Sequence, residues 1–288
     1  MISKKETITT TRGKVQQATS KDGTTIAFDR TGDGSPVIIV GGAFSQRKYP
    51  DLVWLAGLLA ERFAVINYDR RGRGDSGDTQ PYAVEREVED LGALIDEVGG
   101  SASVFGLSSG ANLALEVAAD GLAIVRLALW EPPFALVGES PLPPDALVER
   151  YGEMVAAGRR GEVVEHFMEK VVGLPPEVVA QARKSPFWHE QEALAHTLVY
   201  DTILLGDGAL PVERAAAVKA STLVLEGGES FPFMRGTARA LADFIQDAQW
   251  CVLEGQTHEV APEAIAPVLE EFFVGGIRRR ESGNDRED

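Results

Sequence analysis

The sequence has one cysteine in 288 residues, so Cys251 can form no disulfide within the chain and no cysteine-based zinc site. Basic residues are scarce beside acidic ones: 28 Lys and Arg against 44 Asp and Glu, a formal net charge of −16. Such a surface repels phosphate backbones, and no basic patch interrupts it, which argues against nucleic acid as a partner. The Arg278-Arg279-Arg280 run leads into an acidic tail and reads as a solvated terminus. No apolar run approaches the ~20 residues of a membrane-spanning helix. Met1 to Thr11 is polar throughout and lacks the apolar core of a secretory signal. These absences lead us to expect a soluble, cytoplasmic protein. What is present, 44% apolar and 25% charged residues, suffices for a sizeable globular core.

Short β-branched apolar runs alternate with longer helical patterns, which predicts an α/β fold with a mostly parallel sheet and helices on both faces. Lys14–Thr19 and Thr24–Asp29, joined by Lys21-Asp22-Gly23, read as an antiparallel opening hairpin. Buried strands follow at Pro36–Val40, Phe63–Tyr68, Ser101–Leu107 and Leu127–Trp130, with helices expected at 51–61, 84–98 and 111–119. From Pro132 to about Lys219 the pattern is helical with proline-rich joints at Pro141, Pro143-Pro144, Pro175-Pro176 and Pro211. Strand and helix then alternate again through Thr222–Leu225, Gly236–Ile245, Gln249–Leu253 and Pro262–Phe273. The expected organisation is a core from 1 to 131, an inserted helical segment from 132 to 219, the rest of the core from 220 to 275, and a disordered tail from 276 to 288.

The most informative stretch is Gly106-Leu107-Ser108-Ser109-Gly110, a G-x-S-x-G between a buried strand and a small-residue helix. A tight strand–turn–helix strains the central residue, glycines two before and two after relieve the crowding, and the serine hydroxyl is lifted to the sheet edge. A serine nucleophile needs a base. His166 and His196 lie in patterned helical segments of the insertion and read as surface or packing residues. His189 comes early for a base. His258, in Gly255-Gln256-Thr257-His258-Glu259 after the last strand, sits where a loop can bring an imidazole over Ser108.

With these residues the chain resembles the α/β-hydrolase-fold serine hydrolases from about Val15 to Phe273. Its third shared motif is Asp69-Arg70-Arg71-Gly72-Arg73-Gly74-Asp75-Ser76, similar to the family's D-x-x-G-x-G-x-S turn, to which we assign a supporting role. The resemblance implies an eight-stranded sheet, a helical cap inserted after strand six, and a triad completed by a carboxylate. The family usually carries that acid three residues beyond a glycine after strand seven, but counting from Gly227 reaches Ser230. A minority, including haloalkane dehalogenases and zearalenone-type lactonases, carries it after strand six, where this chain has Glu131. Glu131 is the favoured acid, with Glu229 and Glu226 as alternatives. For the oxyanion hole the resemblance implies the N–H of Ser109 and that of Ala43 in Gly41-Gly42-Ala43-Phe44, with Gly41 standing where the family commonly has histidine. Serine at 108 argues against epoxide hydrolase or dehalogenase chemistry.

The expected reaction is acyl transfer to Ser108 with His258 as base, which requires no metal or organic cofactor. Aromatic residues Phe44, Phe134, Phe167, Phe187, Trp188, Tyr200, Phe231 and Phe233 are candidates for an apolar substrate pocket, with Phe44, Phe134, Trp188 and Tyr200 favoured. The expected partner is a small-molecule ester or lactone, not nucleic acid or membrane, and a homodimer through the cap is left open. C–C bond hydrolysis, cofactor-free oxygenation, perhydrolysis and a non-catalytic small-molecule receptor are the competing readings.

Overall fold

The computed structural model describes residues 15–134, 144–232 and 234–276. The expected disordered tail after Gly276, Phe233, and the proline joints at 141 and 143 lie outside the described residues. The chain opens with β1 (Gln16–Thr19), β2 (Thr25–Thr31), β3 (Ser35–Val40), α1 (Pro50–Leu59) and β4 (Phe63–Tyr68). It continues through α2 (Val84–Glu97), β5 (Ala102–Leu107), α3 (Ser109–Ala119) and β6 (Ile124–Trp130). Between β6 and β7 come α4 (Pro144–Ala156), α5 (Arg160–His166), a π-helical turn (Phe167–Val171), α6 (Pro176–Ala182), α7 (Trp188–Leu194), α8 (Thr197–Leu205) and α9 (Val212–Ala217). β7 (Ser221–Gly227), α10 (Thr237–Phe244), β8 (Ala248–Leu253) and α11 (Pro262–Phe273) complete it.

The strands form one eight-stranded sheet in the order β1-β2-β4-β3-β5-β6-β7-β8. β2 runs against both of its neighbours, and β3 to β8 are parallel. The apolar runs Pro36–Val40 of β3 and Phe63–Ile66 of β4 follow from this arrangement, because a strand covered on both faces has no side that needs to be polar. Alternate residues of one strand serve opposite cores. Val37 and Ile39 pack with Leu52, Leu55 and Leu59 of α1 and with Ile265, Leu269 and Phe272 of α11. Ile38 and Val40 pack on the other face with Val88, Leu91 and Leu94 of α2 and with Leu113 and Val117 of α3.

β6 begins three residues earlier than its apolar pattern suggests. Val125 is 57% exposed, so no hydrophobic periodicity marks that end, yet β5 and β7 on either side hold Ile124 and Arg126 in the ladder. The inserted helices have a core of their own, built from Tyr151, Val163, Val164, Trp188, Ala195 and Leu198. Among the described residues, no helix is long and apolar enough to cross a membrane.

Strand order reverses between β3 and β5: α1 leads from β3 to β4 on one side, and α3 leads from β5 to β6 on the other. Loops leaving the carboxyl ends of β3 and β5 therefore part company, and the crevice they leave is where open α/β sheets bind ligands.

Candidate active site

Ser108 occupies the turn between β5 and α3 with φ 52° and ψ −125°, a left-handed conformation that costs free energy in any non-glycine residue. Its flanking glycines are required by contact rather than by dihedral angle. A Cβ on Gly106 would lie 2.5 Å from the Gly110 carbonyl oxygen, and one on Gly110 would lie 2.2 Å from that of Val40. The turn thus closes only with glycine at 106 and packs against the end of β3 only with glycine at 110. Ser109 is the first residue of α3, where a helix leaves its N–H groups unpaired and its dipole is positive.

Two further residues, Glu131 and His258, are drawn to this turn by Trp130, the last residue of β6. Its backbone carbonyl accepts the Ser108 N–H at 2.9 Å, and its fully buried indole Nε1 donates to the backbone carbonyl of His258 at 2.9 Å. The next residue, Glu131, takes the left-handed φ of 43° and places its carboxylate 2.6 Å (Oε2) from His258 Nδ1. Trp130 and Glu131 thus hold one histidine by main chain and by ring. Because a carboxylate can only accept, Nδ1 carries the proton and Nε2 is left as the basic nitrogen.

The Glu131 side chain is fully buried, and a charge there is tolerated only if its oxygens are occupied. They are. Oε1 accepts the Gly227 N–H at 2.7 Å, and Oε2 accepts the Ser230 hydroxyl at 2.7 Å in addition to the imidazole. Ser230 is the residue three beyond Gly227 where a strand-seven acid would be expected. Of the other two candidate carboxylates, Glu229 is exposed, and Glu226 accepts the backbone N–H of Gly236 at 3.0 Å, ahead of α10.

The loop after β3 lies against the Ser108 turn. A Cβ on Gly42 would come 2.9 Å from the Leu107 carbonyl oxygen and 3.0 Å from Ser108 Cβ. Ala43, half-buried, and Phe44, with a left-handed φ of 60°, follow at the site's edge.

The arginine-rich turn after β4 fastens these loops. Buried Asp69 accepts the Arg47 N–H at 2.7 Å, the Arg47 guanidinium at 2.6 Å and the Asp75 N–H at 2.9 Å, and a Cβ on Gly74 would fall 2.2 Å from its carboxylate. Arg71 forms a two-pronged pair with Asp90 of α2, and Arg70 forms one with Glu87. Arg70 also donates to Asp201 of α8 at 2.8 Å and to Ser109 Oγ at 3.3 Å. Arg73 donates to the Gly42 carbonyl at 2.5 Å and to the other oxygen of Asp201 at 2.8 Å. Burial alone would raise the Asp201 carboxyl, but Arg73 and Arg70 outweigh it and hold the group below its ordinary value.

The aromatic candidates separate in space. Tyr200 stacks on Tyr82 with ring centroids 4.0 Å apart, and its hydroxyl donates to Asp78 at 2.9 Å. Trp188 is buried in the core of the inserted helices, and Phe134 is buried in the main core. Phe44 meets Phe167 edge-on at 5.6 Å, and Phe231 lies 6.1 Å from the His258 ring. Phe187 is 63% exposed. Among the remaining histidines, His166 bonds the Tyr151 hydroxyl, His189 is exposed, and His196 Nε2 lies 3.0 Å from the Gly72 carbonyl. Among the described residues, no group of three His, Cys, Asp or Glu side chains is arranged to hold a metal ion. Trp130, Arg47, Glu87 and Asp201 carry no local sequence signal for what they do here.

A family model described as the alpha/beta hydrolase family matches residues 37–268. The crystal structure of an alpha/beta hydrolase from Sphaerobacter thermophilus is 54% identical, covering 90% of this chain and all of that one, with a TM-score of 0.84. A thermophilic esterase from Thermogutta terrifontis, solved with malate bound, is 23% identical with a TM-score of 0.69 over 91% of this chain and 98% of that one, a likeness of fold. A shorter similarity, 29% identity over 93 residues, links the chain to a Mycobacterium tuberculosis protein named "Putative non-heme bromoperoxidase BpoC". It spans 32% of this chain and 36% of that relative. With the sheet order, the strained serine turn and these matches in agreement, the chain belongs to the alpha/beta hydrolase family.

Proposed function

We propose that this hydrolase cleaves a carboxylic ester or lactone of a mid-sized, mostly apolar substrate through Ser108, His258 and Glu131. Ser108 Oγ bonds to the acyl carbon while its proton passes to His258 Nε2, and the carbonyl π pair moves onto oxygen. The N–H groups of Ala43 and Ser109 hold that oxyanion, which exists only once the tetrahedral intermediate forms. Collapse breaks the bond to the leaving alkoxide, which takes the proton from the imidazolium. Water then attacks the acyl-enzyme by the same roles in reverse and frees the acid.

The observation that carries this reading is the 2.6 Å His258–Glu131 hydrogen bond anchored on the residue that also holds the Ser108 backbone. Phe231, whose ring lies 6.1 Å from that of His258, and Phe44, the neighbour of Ala43 in sequence and edge-on to Phe167, support an apolar acyl or alcohol group.

Steady-state assay with p-nitrophenyl butyrate and an aliphatic δ-lactone tests the reading. Turnover of at least one substrate is expected, and inertness toward both would overturn it. The partial similarity to BpoC favours a second reading in which hydrogen peroxide replaces water as acyl acceptor and releases a peracid. Peracid formation on adding peroxide to the same assay would support it, and unchanged carboxylic acid yield would dismiss it.

A further inference from the structure

A trans peptide group is rigid, so its C=O and the following N–H point in opposite directions and turn together. The N–H assigned above to the oxyanion belongs to Ala43, and the carbonyl of that same peptide is Gly42's. The Gly42 oxygen is not solvated. It accepts from Arg73 Nη1 at 2.5 Å and from the Ser45 N–H at 3.2 Å. The Arg73 side chain is 1% exposed, and its other terminal nitrogen is fixed by Asp201 on α8, 128 residues away in sequence. Asp201 in turn holds Arg70, whose Nη1 reaches Ser109 Oγ on the other donor segment. One buried carboxylate from the inserted helices therefore steadies the two arginines that touch both donor segments. Nothing in the nucleophile turn or the His258–Glu131 pair needs this arrangement. It also answers an absence: Gly41 stands where the family commonly places the histidine of its oxyanion loop, and Gly41 has no side chain with which to brace that loop.

We propose that Arg73 is a positioning residue for the reaction, orienting and polarising the Gly42–Ala43 peptide so that the Ala43 N–H is set for the oxyanion before substrate arrives. The proposal rests on the serine-hydrolase reading above. A cation donating to the carbonyl draws electron density from the amide and strengthens the opposite N–H as a donor, as in any hydrogen-bonded chain. Binding of the ground-state substrate does not require that donor, so the effect belongs to the transition state. Removing an oxyanion donor outright costs about 10²–10³ in kcat, and loosening one should cost less.

The test compares wild type, Arg73→Met, Arg73→Lys and Arg71→Met on p-nitrophenyl butyrate. Each is also titrated with an aliphatic trifluoromethyl ketone, which adds to an activated serine as a hemiketal oxyanion. Thermal melts give the folded fraction. Arg71 is the control because it makes the same kind of buried pair, with Asp90, but touches neither donor segment. For the folded fraction of Arg73→Met we expect kcat to fall roughly 10- to 100-fold, with KM within about threefold and ketone affinity falling in parallel with kcat. Arg73→Lys, which keeps the charge but reaches one acceptor at a time, should lie between the two. Arg71→Met should melt earlier yet keep wild-type kcat and ketone affinity. Unchanged kcat and ketone affinity in folded Arg73→Met would overturn the proposal while leaving the hydrolase reading intact. Equal losses in Arg71→Met would also overturn it, by reducing Arg73 to a general support. If wild type neither turns over ester nor binds the ketone, the serine-hydrolase reading falls and takes this proposal with it.

Discussion

Replacing Ser108 with alanine is expected to lower kcat on a p-nitrophenyl ester about 10⁶-fold, the scale on which serine proteases respond to loss of the nucleophile. The substitution removes one oxygen and little else. Alanine has the same Cβ as serine, so the left-handed strain at φ 52° is unchanged. The backbone bonds from Ser108 N–H to the Trp130 carbonyl and from Ala111 N–H to the Ser108 carbonyl remain. KM should therefore move little, and the melting temperature should stay close to that of wild type. Rates compared at saturating ester would check this. A Ser108→Ala enzyme retaining a tenth of wild-type activity would exclude Ser108 as nucleophile.

The second large effect is expected at the carboxylate. Glu131→Gln should lower kcat by about 10⁴, or roughly 5.5 kcal/mol of transition-state stabilisation. An amide has one acceptor and one donor where the carboxylate has two acceptors. With its oxygen toward the Gly227 N–H, the amide nitrogen faces His258 Nδ1 and Ser230, and two donors meet. The imidazole then does better with its proton on Nε2, the tautomer that cannot take a proton from Ser108. With the amide reversed, its nitrogen confronts the buried Gly227 N–H, which is left without an acceptor. Either choice loses, so the variant should be both slower and somewhat less stable. Glu229→Gln provides the comparison, since Glu229 is exposed and should tolerate the change. A collapse of activity in Glu229→Gln with near-normal Glu131→Gln would return the acid to the strand-seven loop.

The sheet was legible in the sequence because parallel strands covered on both faces are near-continuous apolar runs, and Pro36–Val40 and Phe63–Ile66 have that pattern. The serine turn was legible for a different reason. Gly106 answers a steric demand within the turn itself and Gly110 one set by the neighbouring end of β3, and their spacing around a serine between a strand and a small-residue helix marks both. Glu131 could be singled out as a charge at the end of a buried strand, although its partners Gly227, Ser230 and His258 lie 96, 99 and 127 residues away. The arginine network was not legible. Arg70, Arg71 and Arg73 stand together in sequence, but their carboxylates come from α2, α8 and the first hairpin, and no local rule connects Arg73 with Asp201. Trp130 read as the end of a strand, and only the folded chain shows its indole holding the His258 main chain. The partners of Tyr200 were hidden in the same way: Tyr82 stacks on its ring and Asp78 accepts from its hydroxyl, both more than a hundred residues earlier in the chain.

The most direct measurement on the whole assignment is covalent labelling with a fluorophosphonate, followed by peptide mapping of the adduct. An activated serine attacks phosphorus and expels fluoride, whereas an ordinary hydroxyl does not. We predict one adduct per chain, on Ser108, absent in Ser108→Ala and strongly slowed in Glu131→Gln. No adduct on the wild-type protein, or an adduct that persists at another serine when Ser108 is replaced, would contradict the account.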